Sequence, residues 1–233
     1  VSDSGKSGAE IQRMFAEVAP RYDLLNHLLS ASLDRLWRRR AAAAVEADRR
    51  LPVLDLCSGT GDQALAISRR QREVVAADFC IPMIALARAK YSRAARPAPS
   101  GLAADALRLP FPAACFAAAT VSFGLRNVPD LDTALEEIRR VLVPGGSLVV
   151  LEFAMPTVPV LSGLYRFYFR NLLPRIGRHL SDSASAYDYL PDSVPAFPQR
   201  DAFLERLRAS GFVEAACEDL SGGIVCLYTA RRA

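Results

Sequence analysis

The stretch VLDLCSGTGD, Val53 to Asp62, constrains the chain most, because it reads as a buried strand that breaks into a glycine-rich turn and then a helix. Val53, Leu54 and Leu56 form a short apolar run of strand type, and Gly59 and Gly61 let the backbone turn sharply and approach a ligand closely. Asp62 and Gln63 then open a segment, Ala64 to Arg70, whose Ala, Leu and Ile favour a helix. A second apolar run, Val74 to Ala77, ends in Asp78, at about the ~20-residue offset of a carboxylate that accepts hydrogen bonds from a ribose. Strand, glycine turn, helix and distal acid together predict a nucleotide-like cofactor.

Two cofactor classes satisfy the loop. Gly59, Gly61 and Ala64 match a nicotinamide-dinucleotide fingerprint. Asp55, a carboxylate inside the first strand, is costly to bury alone, so it is expected to face the ligand or the loop amides. S-adenosylmethionine (SAM) brings an ammonium to such a carboxylate and has no pyrophosphate to seat on the helix N-terminus.

The 233 residues suit one α/β domain with a small insertion. The formal charge of +4, from 29 basic and 25 acidic residues, is too mild to argue for nucleic acid. The polar opening VSDSGKSG lacks the apolar run of an export signal, and no unbroken apolar stretch is long enough to span a bilayer. Five cysteines without a CxxC pair predict a reducing cytoplasm, packing roles and no metal site. His27 and His179 lack clustered partners and are expected to pack or face solvent rather than act as bases.

Ile11, Met14, Phe15 and Val18 recur at helical spacing, and Leu24, Leu25, Leu28 and Leu29 continue an N-terminal helical extension over residues 1–50. Trp37 lies among Arg35, Arg38, Arg39 and Arg40, which read as a solvated helix face. From Leu51 onward strands near 53–57, 74–78, 101–104, 116–122 and 147–153 alternate with helices near 62–70, 82–93 and 130–143. This alternation predicts an α/β, mainly parallel sheet covered on both faces. The third helix is expected to be capped by Asp130 or Asp132 and stopped by Pro144-Gly145-Gly146. Phe212–Cys217 and Gly223–Tyr228 predict an antiparallel C-terminal hairpin.

Ligands of such sheets bind beyond the carboxyl ends of the strands. Asp105 and Ala106 follow the third strand, with the carboxylate placed for an adenine amino group and Ala106 offering its amide. Ser122-Phe123-Gly124-Leu125-Arg126-Asn127 follows the fourth and gathers a hydroxyl, an aromatic ring, a guanidinium and an amide at one strand end.

These segments together resemble the UbiE-type ubiquinone/menaquinone biosynthesis C-methyltransferases from about Phe15 to the C-terminus. APRYDLLNHLLSASLDRLWRR is similar to the family's N-terminal signature in Tyr22, Asp23, Asn26, Leu29, Ser30 and Trp37. VLDLCSGTGD is similar to its cofactor loop, LPFPAACFAAATVSFGLRNVPD to its central block and RRVLVPGGSLVVLEFAMP to its second signature. Leu25, Asp34, Val143 and Ala154 depart from the usual Met, His, Lys and Ser.

The resemblance implies a class I SAM-dependent methyltransferase fold, Rossmann-like, with a seven-stranded sheet in residues 51–233. It also implies SAM contacts at Thr60, Asp78, Asp105, Ala106 and Ser122, beside Asp55, Gly59 and Gly61. The implied reaction replaces a ring hydrogen of a polyprenylated quinol by the SAM methyl group. Demethylmenaquinol is favoured over a methoxy-benzoquinol, because LYRFYFRNLLPRIG is closer to the naphthoquinone branch. Arg126 is expected to lower the pKa of the quinol hydroxyl and Asn127 to orient its oxygen. Tyr22 and Asp23 are expected either to remove a proton or to close the N-terminal helices over the site.

An insertion near 155–195 packs Tyr165, Phe167, Tyr168 and Phe169 with Arg166, Arg170, Arg175 and Arg178. It suits a peripheral membrane contact on the cytoplasmic side through residues 160–180. A homodimer is a further expectation, and nucleic acid is not expected as a partner. A nicotinamide-dependent oxidoreductase, a nucleic-acid methyltransferase and a non-catalytic SAM-binding subunit are the competing readings.

Overall fold

The computed structural model describes residues 8–46, 48, 50–70, 72–94, 97–158, 163 and 190–233. Most of the 155–195 insertion, with its aromatic and arginine side chains and His179, lies outside them. Among the described residues three α-helices precede the sheet: α1 (Gly8–Val18), α2 (Tyr22–Leu29) and α3 (Leu33–Ala43). Strands β1 (Val53–Leu56), β2 (Val74–Asp78) and β3 (Ser100–Ala103) then alternate with α4 (Asp62–Ser68) and α5 (Ile81–Tyr91). After β4 (Phe116–Ser122) come a short 3-10 turn (Leu125–Asn127), α6 (Leu131–Val141) and β5 (Leu142–Phe153). The chain closes with α7 (Leu190–Ala196), α8 (Asp201–Ala209), β6 (Phe212–Leu220) and β7 (Val225–Arg232).

The seven strands form one sheet in the order β3-β2-β1-β4-β5-β7-β6. β1 to β5 run parallel, and β7 runs antiparallel to both β5 and β6. β1 and β4 are buried along their whole length, as expected of strands covered on both faces. Alternating residues divide between two layers. Leu54, Leu56, Ala119 and Val121 face a core shared with Leu135 and Ile138 of α6 and Phe203 and Leu207 of α8. Val53, Ala76 and Ala118 face Ala64 and Ile67 of α4, Tyr91 of α5 and Ala42 of α3. Trp37 of α3 extends that layer over Val149, Leu151, Val225 and Leu227, and its indole N–H donates to Ser221 Oγ at 2.9 Å.

One boundary differs from the sequence expectation. Asp130 caps α6, accepting the Thr133 amide at 3.1 Å, but the helix ends at Val141 and Leu142 already pairs with Phe116 of β4. The register then shifts, so that Ser147 pairs with Ala118. Pro144-Gly145-Gly146 is therefore a bulge inside β5 rather than a helix stop, with Gly145 at φ +72. The hairpin forms as expected, with both strands longer than the apolar runs alone suggest. No helix among the described residues is long and apolar enough to cross a membrane.

Candidate functional site

The chain goes outward from β1 to β2 and β3, then returns to place β4 on the other side of β1, so the strand order reverses between β1 and β4. That reversal opens a crevice at the carboxyl ends of the strands. The loop after β1 turns there through left-handed residues: Cys57 at φ +53, Gly59 at +55 and Gly61 at +85. A Cβ on Gly61 would lie 2.2 Å from the Tyr91 hydroxyl, so glycine is required both by the turn and by the packing of α5 beneath it. A Cβ on Gly124, after β4, would lie 2.3 Å from Cys57 Cβ. The glycine of the SFGLRN segment thus lets the β4 loop close against the β1 loop.

Asp78, at the end of β2, is buried and receives the amide N–H of Gly59 and of Cys80, each at 2.8 Å. Burial pushes its carboxyl up, although those amide hydrogen bonds oppose the shift. Asp55 does not reach the crevice. Its side chain lies on the α4 side of β1, where one oxygen accepts the Thr120 hydroxyl at 2.6 Å and the other has no partner among the described residues. Burial raises its pKa to about 7, against the lowering effect of Thr120. It ties β1 to β4 and does not line the cavity.

A cavity of about 540 Å³ occupies the crevice, a size typical of small-molecule sites. Its wall is drawn from five places: Cys57 and Gly59 after β1; Asp78, Phe79, Ile81 and Met83 around the β2–α5 junction; Ala103 to Leu107 after β3; Ser122, Phe123, Gly124 and Asn127 to Pro129 after β4; and Gln12, Phe15 and Tyr22 from the N-terminal helices. Asp105 accepts the Leu107 amide at 2.9 Å through one oxygen, and Ala106 beside it is buried. The buried Ser122 hydroxyl on this wall has no hydrogen-bond partner among the described residues. Burial pushes the Cys57 thiol on this wall well above the usual range.

Tyr22 closes the cavity from α2 and packs edge-on against Phe15, ring centroids 6.2 Å apart. Burial raises its phenol pKa, while Arg38, Asn26 and Arg126 pull it down. Its neighbour Asp23 is not on the wall. That carboxylate accepts the Thr60 hydroxyl and pairs with Lys90 Nζ at 2.5 Å, and the same ammonium reaches Asp62 at 2.8 Å. Burial acts to raise the Asp62 carboxyl, but Arg38, Lys90 and His27 outweigh it and leave its pKa lowered. His27 in turn contacts Asp34 at 2.9 Å, so the aspartate that stands where the family usually has His belongs to a charged clasp between α2, α3, α4 and α5. Thr60 and Gly61 shape the loop from behind the wall.

Arg126 is placed differently from its sequence expectation. It is buried, and its Nη1 donates to Glu152 Oε2 at 2.8 Å and to the Phe123 carbonyl at 2.7 Å. The guanidinium carbon lies 5.4 Å from the centre of the Phe153 ring. It does not line the cavity; its counter-ion on β5 balances its charge, and its contacts fix the loop that presents Asn127. Asn127 is on the wall.

Two residues were missed by the sequence reading. Glu152 was legible only as a carboxylate in the apolar run LVVLEF. By sequence Arg38 belongs to a solvated face with Arg35, Arg39 and Arg40, and those three are exposed. Arg38 itself turns inward, 5.3 Å from the centre of the Phe123 ring.

The donor set fits SAM: a glycine turn, a carboxylate one strand over, a second carboxylate and a backbone amide after β3, and a buried hydroxyl awaiting a partner. Comparison with known proteins agrees. Solved structures share the fold at low identity: the [4+2]-cyclase SpnF, TM-score 0.72 at 19% identity over 97% of this chain and 96% of that one, and a SAM-dependent methyltransferase from Thermotoga maritima, TM-score 0.66 at 16% over 95% and 99%. Much nearer in sequence are the demethylmenaquinone methyltransferases of Deinococcus radiodurans, 47% identical over 91% of this chain and 88% of that protein, and of Thermus thermophilus, 47% over 94% and 100%. The ubiquinone/menaquinone biosynthesis C-methyltransferase UbiE of Syntrophotalea carbinolica is 46% identical over 97% of this chain and 96% of that protein. The model of the ubiE/COQ5 methyltransferase family matches residues 3–232. With that match running along nearly the whole sequence, the chain belongs to the ubiE/COQ5 methyltransferase family.

Proposed function

We propose that this protein transfers the methyl group of SAM to a ring carbon of a polyprenylated quinol, with demethylmenaquinol as the substrate. The observation that carries the reading is the one cavity lined together by Gly59, Asp78, Tyr22 and Asn127. The names of relatives sharing nearly half of its sequence support the naphthoquinol over the benzoquinol.

SAM supplies an electrophilic methyl group. On this chain, Asp78 would accept its ribose hydroxyls, Asp105 and the Ala106 amide would take its adenine edge, and Gly59 would let it lie close to the backbone. Ser122 would satisfy its hydroxyl on the same ligand. Thr60, Gly61 and Asp55 would hold the loop in shape.

Ring carbon is a poor nucleophile until the neighbouring hydroxyl gives up its proton, and a phenol of pKa about 10 is ionised to only about one part in a thousand at pH 7. The Asn127 amide, on the cavity wall, would donate to that oxygen, and Arg126, held by Glu152, would position it. The Tyr22 phenol, kept neutral by burial, serves as a second donor or as a closing element. Apolar wall residues Phe15, Phe123 and Val128 exclude water and strengthen each of these interactions.

Association with the membrane through residues 160–180 belongs to this proposal, since a prenylated quinol resides in the bilayer. Flotation with anionic liposomes, with and without that segment, tests it: equal soluble fractions would remove the membrane role. The activity is tested with methyl-labelled SAM and the two quinols in detergent. Label is expected in demethylmenaquinol, and transfer to neither quinol would end the reading.

A further inference from the structure

The C-terminal hairpin carries a side-chain cluster that methyl transfer does not use. In the β6–β7 register Cys217 stands opposite Tyr228 and Asp219 opposite Cys226, so the two cysteines are diagonal neighbours on one face. Their sulfurs and a carboxylate oxygen of Asp219 all lie within 4.8 Å of one another. Cys226 is buried and Cys217 only partly so, and both are free thiols. The surroundings are charged rather than apolar: Cys226 Sγ is 3.2 Å from Asp219 Oδ1, and Arg200 Nε is 3.1 Å from the same oxygen while its Nη2 is fixed on the Gly223 carbonyl at 3.1 Å. Cysteines that only fill space have no use for a carboxylate at the sulfur and a guanidinium on that carboxylate.

We propose that Cys217 and Cys226 form a redox-active dithiol that a peroxide converts reversibly to a disulfide. The two thiols are unlike. The Cys226 hydrogen bond and the Arg200 charge hold Cys217 below the usual thiol range, and the same contact and burial push Cys226 up. Cys217, as thiolate, attacks one peroxide oxygen. An S–O bond forms, the O–O bond breaks, and the alcohol or water leaves with a proton, giving a sulfenic acid. Cys226 then passes its proton to Asp219 and attacks the sulfenic sulfur. The S–S bond forms, the S–O bond breaks, and the hydroxide departs as water with that proton. Two electrons have gone from the dithiol to the peroxide. A bridge between diagonal positions departs from relaxed disulfide geometry, which places it among the readily reduced ones. Cys226 is also the register partner of Glu152, the counter-ion of Arg126.

The test exposes the reduced full chain to hydrogen peroxide and follows free thiols and peptide masses. One Cys217–Cys226 bridge per chain is expected, reversed by dithiothreitol. In Cys226→Ser, dimedone should label Cys217, and Arg200→Gln should slow oxidation roughly three- to tenfold. If a variant fails to fold, the wild-type peptide map decides alone. Oxidation of Cys57 or Cys115 while Cys217 and Cys226 stay reduced would overturn the proposal, as would a bridge from Cys217 to any other cysteine.

Discussion

The Asp23 carboxylate on α2 accepts the hydroxyl hydrogen of Thr60 in the loop after β1, which joins the N-terminal helices to the turn that shapes the candidate cofactor site. Lys90 holds the other Asp23 oxygen. Asp23→Ala should therefore raise the apparent Kd for SAM on the order of tenfold, since hydrogen bonds to charged groups contribute about 1.5–3 kcal/mol and this one is partly exposed. Calorimetric titration with SAM checks this, and unchanged affinity would separate the helices from cofactor binding.

Glu152 leaves Arg126 buried and uncompensated when truncated. Glu152→Ala should lose about 3–5 kcal/mol of stability by urea unfolding, the usual cost of breaking a buried pair. Replacing both partners, Arg126→Met with Glu152→Leu, should restore much of that stability while methyl transfer stays low. Recovery of both would leave the pair with no part in positioning Asn127.

Asp55 makes stability fall as the pH rises. Its folded pKa, about 7, lies above the ordinary value of 3.8. The folded state thus holds the proton more tightly; its contribution is fully present below the unfolded pKa and is lost as the pH rises through about 7. One pKa unit corresponds to about 1.4 kcal/mol, so the Asp55 contribution should drop by roughly 2 kcal/mol between about pH 5.5 and pH 8. Asp55→Asn, which keeps an acceptor for Thr120, should abolish that part of the slope in urea unfolding across this range. An identical slope in the variant would assign the pH dependence elsewhere.

Gly124 and Cys57 compete for the same space. Gly124→Ala should cost about 1–3 kcal/mol through overpacking, and Cys57→Gly should be well tolerated because residue 57 has a positive φ. The double variant should recover most of the loss. A thermodynamic cycle from thermal melts reads this directly, and strict additivity would contradict the steric account.

Much of this architecture is legible because burial on both faces writes itself into β1 and β4 as mainly apolar runs, and because Gly59, Gly61 and Asp78 mark where the backbone must turn and accept hydrogen bonds. Local signals were ambiguous where one composition serves two structures. Pro144-Gly145-Gly146 suits a helix stop as well as a bulge, and only pairing with β4 separates them. Arg126 was misplaced for a different reason: its partner, Glu152, lies on another strand, and no local pattern announces a buried ion pair. Asp55 likewise carried the right chemistry on the opposite face from the cavity, since strand alternation had to be fixed by α4 before its direction was known. Arg38 sat in a run of arginines that a sequence cannot divide into inward and outward members.

β7 follows every other strand in the sequence, yet it lies inside the sheet, between β5 and β6. During synthesis β6 emerges with no neighbour to pair with, and β5 presents an open edge until β7 arrives. The parallel half can assemble early, but the sheet closes only once the final strand has left the ribosome. A nascent chain stalled before Val225 therefore exposes two unsatisfied strands at once, both open to pairing with neighbouring chains.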